Sequence, residues 1–177
     1  MSTPNENDLL NLENNSLKEE IKKILQLRDE AEAENNYSYS FDAPIDEEEM
    51  TSWEKETGIT IPESYKEWLR FSGENEINGN TANFWGPKSF HSLYVPDDLV
   101  VIGSVIGDGE DVCFSKESGH FIRFFKGQRR REREDFKCVL NDIIELLEPQ
   151  PLTLEEIEQM RKKIGEIRER RKKESKI

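Results

Sequence analysis

Ile59–Gly73 reads ITIPESYKEWLRFSG, and its punctuation predicts a helix, the link leading into it and the stop that follows. Gly58, just before it, suits the left-handed residue that ends a preceding helix. Ile59–Thr60–Ile61 is short and β-branched and reads as an extended link. Pro62 opens a helix readily, because its fixed φ is helical and its missing N–H would be unbonded in the first turn. Tyr65, Trp68, Leu69 and Ser72 then recur at three–four spacing, which places them on one core-facing side. Gly73 closes the segment.

Reading upstream, FDAPIDEEEMTSWEKET (41–57) predicts a second helix. Asp46 is its N-cap, the acids at 46–49 sit where the helix dipole favours them, and Met50 and Trp53 face inward. Farther back, SLKEEIKKILQLRDEAEAE opens with Ser16 and Glu19 at capping-box spacing. Leu17, Ile21, Ile24 and Arg28 share one face there, with Leu25 beside it. Residues 1–15 form a polar lead. Reading downstream, 74–98 is rich in Asn, Gly and Pro, with short strand candidates at Phe84–Trp85 and Ser92–Val95. Leu99–Ile106 (LVVIGSVI) is a continuous apolar run typical of a buried strand. Asp111–Ser115 and His120–Phe125 continue a meander across two turns. GQRRRERED (127–135) reads as a polar loop or helix start. Phe136, Leu140, Ile143, Ile144 and Leu147 form one face of a further helix, stopped by Pro149 and Pro151. Thr153 with Glu156 opens a last helix, whose seam of Leu154, Ile157, Met160, Ile164 and Ile167 offers weak self-association.

The expected fold class is α+β: an antiparallel meander of about four to six strands packed against helices, with an extra helix at each end. The expected division is a 1–40 lead with an accessory helix, a 41–148 domain, and a 149–177 helix with a basic tail. Composition agrees with this division. All three tryptophans and all nine phenylalanines fall between Phe41 and Leu147, so the core lies there. Charged residues make up 36% of the chain and the net charge is −13, which disfavours nucleic acid and suits a basic partner. Residues 41–127 hold seventeen acids against seven bases. The polar, acidic beginning is unlike a signal peptide, and no apolar run approaches the ~18 residues of a membrane span. A cytoplasmic location and no membrane contact are expected.

The order helix, Gly-Ile-x-Ile-Pro, then a helix with Tyr and Trp-Leu resembles the opening of the SUKH superfamily. That superfamily includes fungal cell-wall-synthesis regulators and bacterial toxin-immunity proteins. The matching residues are Trp53 in the acidic helix Glu47–Thr57, then Gly58, Ile61, Pro62, Tyr65, Trp68, Leu69 and Gly73. A Gly/Asp-rich hairpin at Ile106–Phe114 and the helix Phe136–Leu147 complete a resemblance that covers roughly 41–148. It implies a protein-binding role without catalysis. The first expectation is an immunity protein that occludes a cognate toxin domain, in many relatives a nuclease with a basic cleft. The alternative is a regulatory scaffold of the fungal kind.

The residues themselves offer little chemistry. Asp108, Glu110 and Asp111 lack the EF-hand spacing and read as a solvated turn. Cys113 and Cys138 sit among apolar neighbours and read as buried thiols. Nothing in the sequence places a Ser or Cys as the nucleophile of either His91 or His120, and GDGED lacks the Lys and Ser/Thr of a phosphate loop. No cofactor or metal is expected. The interleaved acids Glu132, Glu134 and Asp135 blunt the field of Arg129–Arg133. The partner-binding candidates are therefore Trp85 and Tyr94 as apolar anchors, with Asp97, Asp98, Asp108, Glu110 and Asp111 facing basic groups.

Overall fold

A computed structural model of the 177-residue chain describes residues 12–33, 38–105, 109–148, 158–159 and 161–164. The chain divides into two units, Met1–Leu147 and Glu148–Ile177. The first contains, in order, α1 (Lys18–Ala33), β1 (Ser40–Phe41), α2 (Glu47–Thr57), α3 (Glu63–Leu69), β2 (Asn75–Ile77) and β3 (Ala82–Phe84). A long loop follows, and then β4 (Leu99–Val105), β5 (Glu110–Ser115), β6 (Phe121–Phe125), β7 (Gln128–Arg133) and α4 (Phe136–Leu147). In the second unit the described residues are helical at 158–159 and 161–164, and Ile164 there is exposed. The seam expected across 154–167 otherwise lies outside the described residues, as do the 1–11 lead and Asp108. Among the described residues no helix is long and apolar enough to cross a membrane.

The fold is α+β, as expected. All seven strands pair antiparallel in one sheet, and their spatial order is their sequence order. Seven exceeds the expected four to six for two reasons. β1, β2 and β3 are only two or three residues long, too short to show alternation. β7 runs through the arginine segment that reads as a loop. The turn before it has positive φ at both Lys126 (48°) and Gly127 (78°), which matches the two-residue turn favoured by a twisted hairpin. β7 is an edge strand, so charged side chains guard its free edge. Three of its four arginines are held by acids on either side: Arg129 by Asp98 at 2.6 Å, Arg131 by Asp142 at 3.2 Å, and Arg133 by Asp142 at 2.9 Å. Ser92–Val95, expected as a strand, is a turn. Only His91, just before it, bridges to the sheet, through Val101.

The helix starts follow their chemistry. The Asp46 carboxylate accepts from the Glu49 amide at 2.7 Å, and Gly58 ends α2 at φ 69°. At α1 the capping side chain is Asn15 and not the expected Ser16. Its Oδ1 accepts from the Leu17 amide at 2.8 Å and its Nδ2 donates to the Glu67 carbonyl at 2.7 Å, while the Ser16 amide donates to the Glu67 carboxylate. Pro62 stands at the N-cap of α3. Gly73 is closely packed, since a Cβ there would lie 2.6 Å from Ile45 Cδ1, which would have to shift, and 3.0 Å from the Ala43 carbonyl.

The two faces of the sheet are covered differently. On one, Val100, Ile102, Val112, Phe114 and Phe121 join Tyr65, Trp68, Leu69, Phe136 and Leu140 of the helices in the main core. Its rings meet edge to face, as Tyr65–Phe136 at 4.7 Å and Phe84–Phe136 at 4.9 Å. α1 adds Leu17, Ile21, Ile24, Leu25 and Leu27 to that core and packs on α4. On the other face, Leu99, Val101, Cys113, Ile122 and Phe124 form a smaller cluster against which Trp85 and Val95 of the long loop pack. Both faces of β4 are thus covered, which is why its sequence is apolar without alternation.

Candidate functional site

The loop that lies over the second face, residues 85–98, is pinned at both ends. At its entry the Trp85 amide donates to the Ile102 carbonyl at 2.8 Å. The Trp85 carbonyl accepts from the hydroxyl of Tyr65 at 2.7 Å. Pro87 leads a single 3₁₀ turn, Pro87–Ser89. Phe90 then anchors the loop in the main core, edge-on to Trp53 at 5.2 Å and 6.0 Å from Tyr65. The His91 carbonyl accepts from the Val101 amide at 2.7 Å, and its ring lies 5.7 Å from that of Trp85. At the exit, Ser92 Oγ donates to the Leu99 carbonyl and Lys116 Nζ to the Asp97 carbonyl. The Leu99 amide closes a turn onto the Pro96 carbonyl.

Between these pins the tip is bare. Leu93 is 63% exposed and Tyr94 is 96% exposed. Tyr94 also holds φ 64°, a left-handed backbone that costs a side-chain-bearing residue about 1–2 kcal/mol and persists only where its surroundings enforce it. An aromatic ring held in solvent by a strained, doubly anchored loop is preorganised for contact, because little further ordering is needed on binding. Among the described residues it is the most exposed large apolar side chain.

The acidic candidates do not form one surface. Asp97 is exposed, and Asp98, beside it, lies at the start of β4. Glu110 pairs with Val105 at the other end of the same hairpin. Seven residues of strand separate the two ends, roughly 20 Å. Asp98 is engaged by Arg129, which holds its carboxyl below the usual range, and Glu110 is paired with Arg123. Asp111 is half-buried. Burial pushes its carboxyl up, with His91 close enough to pull it the other way. Trp85 is half-buried against the second cluster, so it supports the loop more than it faces solvent.

Acids that the sequence reading did not select flank the loop entry. Helix α2 lies against the 3₁₀ turn, with Glu49 bound to Lys88 at 2.6 Å and Trp53 on Phe90. Its exposed residues include Glu47, Glu48 and Glu56. Glu47 is held low by a hydrogen bond from Arg70, which also takes Glu63 and Glu67. Leu93 was missed as well. Its signal was an apolar residue next to Tyr94 in a turn bounded by Ser92 and Pro96.

Catalytic alternatives gain no geometry. Cys113 is fully buried and its thiol is pushed up to about 12, chiefly by burial, so it is no nucleophile at neutral pH. Cys138, expected to be buried, is half-buried, and its thiol is also raised by a hydrogen bond with Asp135. Among the described residues no group of three or more His, Cys, Asp or Glu side chains is placed to hold a metal ion.

A family model described as SMI1/KNR4 (SUKH-1) matches residues 44–148. The chain belongs to this family. The SUKH-1 match runs from just before α2 to just after α4 and takes in the whole 85–98 loop. α1 and β1 precede it, although α1 contributes to the same core. No curated protein matches the chain. SUKH-1 membership supports an immunity or regulatory role in general and does not choose between the two.

Proposed function

We propose that this SUKH-1 protein is an immunity protein that binds a cognate toxin domain and occludes it, without catalysis. The observation that carries the reading is the Leu93–Tyr94 tip, apolar and bare on a loop fixed at both ends. Aromatic anchors of this kind dominate interface energy when they enter a pocket on the partner. The acids of α2 beside the loop entry, with Asp97 at its exit, suit a partner with a basic surface, such as a nuclease domain. They would raise the association rate more than the final affinity. Occlusion needs no catalytic group on this chain.

The test is coexpression with the protein encoded beside this chain's gene. The wild-type chain is expected to be captured by that protein and to relieve its toxicity. The double variant Leu93→Ala, Tyr94→Ala is expected to lose both effects while melting at the wild-type temperature. Absence of capture and of rescue by the wild-type chain would overturn the proposal.

A further inference from the structure

Of the β7 side chains, Arg129 and Glu132 lie next to the loop exit on the sheet face that the loop covers, whereas Arg131 and Arg133 lie on the helix-covered face with Asp142 of α4. The strand register shows this. Val101 opposes Cys113, Cys113 opposes Ile122, and Ile122 opposes Glu132, so these four share one face. On the same face Asp111 opposes Phe124 and Phe124 opposes Arg129. The pairing then shifts by one residue, leaving Arg130 as a bulge in β7. At this bulge is an open groove of about 170 Å³ lined by Ile122, Arg129, Arg130, Arg131 and Glu132. One link ties it to the loop, the 2.6 Å ion pair between Arg129 and Asp98.

The charges around the groove are arranged to leave donors available. Glu132, the acid among its walls, is turned to His120 Nδ1 at 2.8 Å. Arg129 is steadied by one carboxylate, Asp98, while the Arg131 guanidinium is turned away to Asp142 of α4. A guanidinium has five N–H donors, so one carboxylate leaves donors over. Arg130 is exposed, with its guanidinium over the Phe125 ring, 5.6 Å from the centroid. An arginine held over a ring keeps its in-plane donors for a carboxylate.

We infer that this groove is a second contact site, one that takes a carboxylate side chain flanked by an apolar residue on a partner protein. The inference rests on the proposed function for the existence of a partner, but the groove can be tested without one. It makes the docking surface bipolar. Acids of α2 flank the loop entry and arginines of β7 flank its exit, so a partner would carry basic groups over one end and an acidic group over the other. The consequence runs against the net charge. In a chain of −13 that meets a basic partner, removing an arginine should help if bulk charge governs binding. If the groove is a contact, removing Arg130 weakens binding instead.

The experiment is an NMR titration of the full-length ¹⁵N-labelled chain with the peptide acetyl-Glu-Leu-Glu-amide. Its neutral counterpart acetyl-Gln-Leu-Gln-amide and a short oligothymidylate serve as controls. Saturable shifts at the Ile122 and Arg129–Glu132 amides are expected with the acidic peptide. The neutral peptide and the Arg130→Glu variant should each reduce them at least tenfold in apparent affinity. A conservative Arg130→Lys variant should recover part of the response, and unchanged melting of both variants shows that the fold is intact. Equal shifts from the neutral peptide, or no saturable shifts, would overturn the inference. So would tighter binding of the oligonucleotide, which would assign the groove to phosphate. None of these outcomes bears on the Leu93–Tyr94 tip, so failure here leaves the toxin reading standing, and failure of that reading removes the partner but not the peptide binding measured at the groove.

Discussion

Tyr65→Phe tests whether a residue at the centre of the core also holds the 85–98 loop in place. The tyrosine is fully buried, and its hydroxyl donates to the Trp85 carbonyl at 2.7 Å, with the Ile102 carbonyl at 3.2 Å. Phenylalanine keeps the ring contacts with Phe136, Phe121 and Phe90 and removes one oxygen. The two carbonyls then differ in outcome. Ile102 still accepts from the Trp85 amide, whereas Trp85 loses its tyrosine donor. A buried acceptor left unpaired costs about 1–3 kcal/mol. Taking about 2 kcal/mol, and about 2–4 °C per kcal/mol for a chain of this length, the melting temperature should fall by roughly 4–8 °C. Calorimetry measures that fall. Hydrogen exchange localises it, with faster exchange expected at the Trp85 and Val101 amides, which fasten the loop to β4. A melting temperature within about 1 °C of wild type, with unchanged exchange at those amides, would refute the reasoning and reduce Tyr65 to a packing residue.

The other predictions are more local. Tyr94→Ala should leave stability within about 0.5 kcal/mol of wild type and weaken partner binding by about 2 kcal/mol, roughly 30-fold, by surface plasmon resonance. Gly103→Ala should destabilise strongly in chemical denaturation, because its Cβ would collide with the Asn83 carbonyl and lie 2.7 Å from Phe84 Cδ1. Stability should fall in acid. Burial tends to raise the Asp142 carboxyl, but hydrogen bonds from Arg133 and Arg131 outweigh it and hold it low. A lowered folded value gives stability that is present above the unfolded carboxylate value and is lost as pH drops below about 4, so Asp142→Asn should flatten that part of the melting profile. Asp111 has the opposite sign. Burial raises it, so its contribution to stability declines as pH rises from about 4, and Asp111→Asn should gain on wild type in melting temperature between pH 4 and pH 7.

Much of the core was legible because its cues are local. Asp46, Gly58 and Pro62 punctuate α2 and α3 where the chain must start or stop, and Tyr65, Trp68 and Leu69 lie on the buried face that their spacing implies. β7 was not legible. Edge-strand pairing is carried by backbone hydrogen bonds, so its side chains need no apolar alternation, and Lys126–Gly127 is a weaker turn signal than Asn-Gly. The candidate acids misled for a related reason. Asp98 and Glu110 stand twelve residues apart in sequence, but antiparallel pairing places them at opposite ends of a hairpin, and each already has an arginine beside it. Exposure of a charge can be guessed from composition, whereas its neutralisation by a residue thirty positions away cannot.

The residues that start the helices and fill the core and those proposed to face a partner differ yet depend on each other. A fourteen-residue connection with no regular structure beyond one 3₁₀ turn would ordinarily be mobile and would lose conformational freedom on binding. Here that ordering is done during folding, by Tyr65 at the entry, Phe90 in the middle and Lys116 at the exit. Tyr65 comes from α3, Phe90 from the loop itself and Lys116 from the turn that follows β5. Leu93 and Tyr94 make no such contribution, and Tyr94 carries backbone strain as well. Substitutions at these two positions therefore leave the frame untouched. On the proposed reading, changing the tip would change specificity at little cost in stability, because other residues hold the frame.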